Sequence, residues 1–268
     1  MRNIPSSMDP TVVSAIDARL DAVEAQHRVR ILWAIESGSR AWGFPGSDSD
    51  YDCRFLYVSS VEDYLGLRGR RDVIETPLDR IFDVNGWDVR KALGLMVKGN
   101  ATAGEWLRSP IVYRGDAGFR GTLLELANDV VDPYALTNHY LHIAQNQLGL
   151  LESSGALKKF FYALRPAATL RWMRVRDDAV PPIELGQLLT ESEADPEVRH
   201  ATAELVDLKA RTRELGGATI PAVLRDFVTA ELAAAASRLP GLESARVDPD
   251  TAWKRADAVF LQLLESRE

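Results

Sequence analysis

Between residues 38 and 52 the chain reads Gly-Ser-Arg-Ala-Trp-Gly-Phe-Pro-Gly-Ser-Asp-Ser-Asp-Tyr-Asp, a stretch rich in groups that bind phosphate or cations. Gly38 and Ser39 are small enough for backbone N–H groups to approach a phosphate, and the Ser39 hydroxyl adds a donor. Asp50 and Asp52 are two apart, a spacing that on a strand turns both carboxylates to one face. Like charges held side by side repel, so such a pair is stable mainly with cations between its members. Mg²⁺ takes oxygen ligands and keeps contacts to waters and substrate phosphates, which suits the pair. A two-metal site that also prepares an attacking hydroxyl needs a third acid. Asp83, between Phe82 and Val84, would point away from its apolar neighbours; Asp79, four residues earlier on the same strand face, is the alternative. An isolated Asp-x-Asp in a Ser-rich turn would mean little. The order strand, Gly-Ser, Asp-x-Asp opening a second strand, then a single acid between apolar residues is what marks a site.

The elements that must position these groups follow from apolar periodicity. Thr11 to Gln26 carries Val12, Val13, Ile16, Leu20 and Val23 at helical spacing. Val29 to Ile35 reads as a buried strand, and Tyr51 to Val58 as a second, one on each side of the Gly-Ser segment. Val61 to Leu67 suits a short helix, Arg71 to Val84 one strand or two broken at Pro77, and Trp87 to Lys98 a helix with Asn85 as a plausible N-cap. A short helix near Glu105 and a strand at Ile111 to Tyr113 follow. Beyond Phe119 the patterns are helical, over 134–152, 156–176, 200–214, 222–238 and 250–266. The expected organisation is an N-terminal α/β domain, residues 1–120, and an all-α helical bundle domain, residues 121–268, joined near 115–133.

Composition limits the function classes. A chain of 268 residues with 46% hydrophobic content can bury a core, and no apolar run nears the ~20 residues that span a bilayer. MRNIPSSMDP has no secretory apolar segment. The single cysteine, Cys53, excludes an internal disulfide framework and reads as core, so a cytoplasmic location is expected. Net charge −7 and pI near 5.3 argue against coating nucleic acid by bulk electrostatics, though not against a local basic groove. His139 and His142, three apart, have no Cys or His partner nearby and read as a half-buried helix face rather than a metal site.

GSRAWGFPGSDSDYDCRFLYV resembles the core motif of the polymerase β nucleotidyltransferase superfamily. More narrowly, with DVNGWDVRKALGLMVKGN, GEWLRSPIVY and KKFFYALRPAATLRW, it is similar to the RNA-repair-pathway DNA polymerase β family over roughly residues 30–185. Ala101 departs from that pattern, which leads one to expect proline after Asn100. The resemblance implies a mixed sheet with flanking helices and a site for two Mg²⁺ ions, with Mn²⁺ as a substitute. Gly38 and Ser39 then match the phosphate-binding positions, Asp50 and Asp52 the metal-ligand pair, and Asp83 the third acid and metal ligand. Arg40 is placed either to reach the triphosphate or to stay on the surface.

Two further segments are candidates to complete a nucleotide site. Lys91 lies four after Trp87, and both either face the nucleotide or serve packing and solvation. Residues 158–176 hold Lys158, Lys159, Arg165, Arg171, Arg174 and Arg176 with no acid among them. Pro166 is expected to kink or divide this helix. Lys159, Tyr162 or Arg165 is expected to line the cleft and meet the outer phosphates. The expected reaction transfers a nucleoside monophosphate from an NTP to an acceptor hydroxyl. An RNA or DNA end is the first expectation for the acceptor, with a protein or a small molecule left open. The rival from another class is a catalytically silent partner of a toxin–antitoxin pair.

Overall fold

The protein is described by a computed structural model covering residues 1–78, 81–154, 157–176, 180–211, 219–242 and 247–265. Five strands form one mixed sheet: β1 (Arg30–Glu36), β2 (Tyr51–Val58), β3 (Val73–Glu75), β4 (Phe82–Asp88) and β5 (Val112–Gly115), in the order β3-β4-β2-β1-β5. β2 and β4 pair in parallel, while β1 runs antiparallel to β2 and β5, and β3 antiparallel to β4. Pro77 therefore separates two strands, as one of the two readings of that segment had it.

Alternation divides the side chains of β1 and β2 between two layers. Ala34, Cys53, Phe55 and Tyr57 face α1 (Pro10–His27), whose Ile16, Leu20 and Val23 form a core with them. Asp9 starts α1, accepting from the Thr11 N–H at 2.8 Å, with Pro10 in the first turn where its missing N–H costs nothing. On the opposite face Trp33, Ile35, Leu56 and Val58 meet a second helical layer. Two short helices come first in chain order, α2 (Gly38–Ala41) and α3 (Val61–Leu65). The layer itself is α4 (Val89–Val97), α5 (Ala101–Arg108) and α6 (Ala117–Val130), joined by Ala252 and Ala256 of the last helix.

The remaining helices are α7 (Pro133–Ser154), α8 (Leu157–Val175), α9 (Leu185–Glu191), α10 (Pro196–Arg211), α11 (Ala222–Arg238) and α12 (Pro249–Glu265). Phe160, Phe161, Leu164, Leu188, Leu205, Leu224 and Val228 make the core of α7 to α11, which also takes in Phe44 from the Gly-Ser loop. The all-α character expected of the C-terminal half is present, but α12 leaves that body and packs on α4 and α6. The boundary expected at 120/121 falls inside α6. No helix among the described residues is long and apolar enough to cross a membrane.

Several local expectations change. Asn85 lies inside β4; the N-cap of α4 is Asp88, whose carboxylate accepts from the Arg90 N–H at 2.8 Å. The expected helix thus begins two residues late, because Trp87 continues the strand. Pro166 lies within α8 without dividing it. α9 has no counterpart in the sequence reading. Ala101 occupies the first position of α5 after the Asn100 cap, where proline would also be tolerated, so the departure leaves the loop geometry intact.

Gly86 governs the fit of β4 against β2. A Cβ there would lie 2.1 Å from the Phe55 ring, which is fully buried. Gly86→Ala is expected to destabilise the protein by about 1–3 kcal/mol through overpacking, read as a lower urea midpoint with an unchanged slope.

Candidate active site

The parallel ladder sets Asp52 directly beside Asp83, in a register running from Tyr51↔Phe82 to Tyr57↔Asp88. Phe82 and Val84 face the α1 layer, so strand alternation turns Asp83 to the other side, as the sequence implied. Asp50 precedes β2 by one residue and is exposed, so the strand-face argument for the 50/52 pair does not extend to it. Its charge still reaches Asp52. Burial pushes the Asp52 carboxyl above its ordinary range, and the Asp83 and Asp50 carboxylates add to the rise while Arg54 and Lys158 oppose it. Asp79, the alternative third acid, lies outside the described residues.

Gly38 carries φ +63°, and a Cβ there would stand 2.1 Å from Asp52 Oδ2. The backbone conformation and the close approach both require glycine at this point. The Ser37 N–H donates to the Asp52 carbonyl at 2.8 Å, which ties the Gly-Ser turn to the strand bearing the acid. Ser39 donates to Ser49 Oγ at 3.0 Å, and Ser49 Oγ accepts from the Gly46 N–H at 2.8 Å. Arg40 donates to the carbonyls of Ser49 (2.6 Å) and Asp50 (3.1 Å) and stacks 3.8 Å over the Tyr51 ring. These bonds tie the Ser49–Asp50 segment to the Gly-Ser turn.

Beneath Asp52 lies an acid the sequence reading passed over. Glu36 is fully buried, and its Oε1 accepts from the Asp52 N–H at 2.8 Å while Oε2 accepts from Tyr113 Oη at 2.5 Å. Burial holds its carboxyl up to about 7. The available signal was an acid closing an apolar strand immediately before Gly-Ser. Arg54 was also missed, two residues after Asp52 and so on the same face. It donates to Asp83 Oδ2 at 2.9 Å and to Asp52 Oδ1 at 3.3 Å.

Helix α8 lies against the loop as expected, with Tyr162 of the expected set at the contact. Tyr162 meets Trp42 edge-on at 5.5 Å, and its hydroxyl pKa is raised by burial first and then by Asp52 and Asp50. Lys158, not nominated before, is the α8 cation whose charge Asp52 feels; Lys159 beside it is half-buried. Arg165 is buried, pairs with Glu105 at 2.9 Å and lies 4.4 Å over the Trp42 ring, so its charge is already matched. Arg171 and Arg174 both pair with Glu231. The helix holds no acid of its own, and Arg165, Arg171 and Arg174 find theirs on α5 and α11. Lys91 is not brought to the acids: it pairs with Asp72 at 3.0 Å at the far end of β4, where Trp87 packs on Trp106 at 4.4 Å.

Among the described residues no three His, Cys, Asp or Glu side chains share a position fit for one ion, so the site as folded presents the Asp52–Asp83 pair with Asp50 on the adjoining loop. That donor set fits Mg²⁺, which is commonly held by one or two carboxylates together with substrate phosphates.

Lys209 of α10 closes the far side of the loop, with no sequence signal to link it. It is 5% exposed, donates to the Phe44 carbonyl at 2.6 Å, and lies 4.6 Å over Phe44 and 5.0 Å over Phe161. Burial, and then Lys158, lower its pKa to about 8, against a partial rise from Asp48. Below about 8 both folded and unfolded chains hold this proton and the burial cost is felt in full. Between about 8 and 10.5 the unfolded chain binds more protons, so the cost is relieved as pH rises. Relative to Lys209→Met, the protein is expected to gain on the order of 3 kcal/mol across that window, read by urea unfolding at pH 7.5, 9 and 10.5.

Comparison with known proteins identifies the family. A profile described as the RNA repair pathway DNA polymerase beta family matches residues 12–262. The uncharacterized protein YcgL of Bacillus subtilis (strain 168) is 37% identical over 215 residues, covering 80% of this chain and 82% of that protein. A crystal structure of a nucleotidyltransferase-like protein from Exiguobacterium sibiricum aligns over 96% of this chain and 81% of its own, at 11% identity and a TM-score of 0.31, too slight a likeness to bear on function. With a family model that spans nearly the whole chain, the protein belongs to the RNA repair pathway DNA polymerase β family.

Proposed function

We propose that this protein transfers a nucleoside monophosphate from an NTP to an acceptor hydroxyl, releasing pyrophosphate. The observation that carries the proposal is Asp52 held beside Asp83 across the β2–β4 ladder, with Gly38 packed on the Asp52 carboxylate. Gly38 and Ser39 receive the phosphates at the turn of α2, and Lys158 adds positive charge on the α8 side. Asp83 accepts the proton of the attacking hydroxyl. That oxygen then bonds to the α-phosphorus as the bond to the β-phosphate bridging oxygen breaks. Asp52, Asp83 and Asp50 would hold Mg²⁺ or Mn²⁺, which on binding neutralises phosphate charge and polarises the reacting oxygens. Tyr162 and Trp42 wall the α8 side.

The description of the family favours an RNA or DNA end as acceptor. The test is incubation with each labelled NTP and Mg²⁺ in the presence of RNA, DNA, protein and small-molecule hydroxyl acceptors. Label transfer to a nucleic-acid 3′ end is the expected outcome; transfer to protein or a small molecule would replace the acceptor but keep the reaction. Absence of both transfer and Mg²⁺-dependent NTP binding would sink the enzyme reading in favour of a silent binding partner. Asp83→Asn is expected to lower turnover roughly 10²-fold or more while retaining NTP binding, the scale of losing a general base. Asp52→Asn should lose turnover and Mg²⁺-dependent binding together, both measured by calorimetry and single-turnover transfer.

A further inference from the structure

Arg54 makes four hydrogen bonds that together span the two acid-bearing strands. Nη1 donates to the main-chain carbonyls of Cys53 and Asp83, each at 3.0 Å, and Nη2 donates to Asp83 Oδ2 at 2.9 Å and Asp52 Oδ1 at 3.3 Å. The two carbonyl bonds fix the guanidinium through the backbone, so its place does not depend on the carboxylates it also touches. Asn85 donates to Asp83 Oδ1 at 2.7 Å, so each Asp83 oxygen already accepts one N–H. Asp52 Oδ2 faces Gly38. A guanidinium is charged at every pH of interest and cannot leave by losing its proton.

We infer that Arg54 is a built-in counter-ion for Asp52 and Asp83, which weakens their hold on free divalent cations until the phosphates of a nucleotide restore it. The inference rests on the acid pair being the cation site proposed above. A positive charge fixed against both carboxylates satisfies their mutual repulsion without a metal, so the site is already formed when empty of nucleotide. The same charge repels an incoming divalent ion across a short distance in a partly desolvated site. Bound triphosphate reverses that balance by adding anionic ligands beside the guanidinium. Cation and nucleotide then bind with positive coupling, each raising the affinity for the other by the same factor.

The test is Mn²⁺ binding, by electron paramagnetic resonance and calorimetry, with and without a non-hydrolysable NTP analogue. Proteins compared are the natural sequence, Arg54→Met, Arg54→Lys and Asp52→Asn. Without nucleotide, Arg54→Met is expected to bind Mn²⁺ about tenfold more tightly or better, and Arg54→Lys to stay near the natural protein. The coupling between Mn²⁺ and nucleotide should shrink in Arg54→Met. Its thermal midpoint in chelator should fall and recover on Mn²⁺ addition, a recovery that loss of a merely structural side chain would not show. If Arg54→Met does not fold, Arg54→Gln removes the charge while keeping an amide donor and reads the same difference. Equal or weaker Mn²⁺ binding by the neutral variant would overturn the inference. The site assignment itself would survive that result if nucleotide-dependent Mn²⁺ binding is present in the natural protein and lost in Asp52→Asn. No Mn²⁺ binding by any of the proteins, even with nucleotide, would remove both.

Discussion

Two carboxylates placed side by side repel, and the parallel pairing of β2 with β4 leaves Asp52 and Asp83 no freedom to separate. At an effective dielectric near that of a protein surface, unit charges about 4 Å apart interact by roughly 4 kcal/mol. That strain must be met by the surrounding structure, and much of the neighbourhood can be understood from it. Gly86 and Phe55 bring the strands close enough for the register, and Gly38 supplies a backbone with no side chain to push Asp52 away. Arg54 and Asn85 donate to the carboxylates, while Glu36 grips the Asp52 N–H from below. The sheet supplies the geometry and the polar shell makes it tolerable.

The loop between β1 and β2 is held from two sides. Arg40 binds its carbonyls from the sheet side. Phe44 is buried in the α7–α11 core, and Lys209 donates to its carbonyl from α10. The segment bearing Ser49 and Asp50 is therefore shared property of the α/β layers and the helical body. Helix α10 meets this loop through the Lys209 bond to the Phe44 carbonyl, and α8 meets it through Tyr162 against Trp42 and Phe44.

Periodicity and local chemistry made much of this legible. The apolar residues flanking Asp83 gave its side of the sheet, because strand parity follows from spacing alone, whereas the same argument for Asp50 with Asp52 did not hold because Asp50 precedes β2. The mixed sheet and the helical C-terminal part also matched expectation. What failed did so where partners are distant in sequence. The basic residues of α8 looked uncommitted because Glu105 and Glu231 lie outside the segment, and Lys91 looked available because Asp72 was not foreseen beside it. Asn85 was an attractive cap only while Trp87 was taken as helical; β3 and β2 both pair with β4 up to that residue and extend the strand. Lys209 is 165 residues from Phe44, beyond any local pattern.

The placement of α12 bears on how the chain reaches this structure. Its Ala252 and Ala256 belong to the same core as Trp33 and Leu56, so one hydrophobic layer joins strands near the start to residues some two hundred positions later. A polypeptide emerging from the ribosome can form the α1 face of the sheet early, since Ile16, Leu20, Phe55 and Val84 all precede α4 in sequence. The other face must wait, with α4 and α6 exposing apolar surface while the α7–α11 body is built. Closing such long-range contacts is entropically slow, and the exposed surface is open meanwhile to chaperones or to aggregation. Chains released before residue 249 would keep the acid pair and its Gly-Ser turn in their sequence, yet lack the helix that seals the layer behind them.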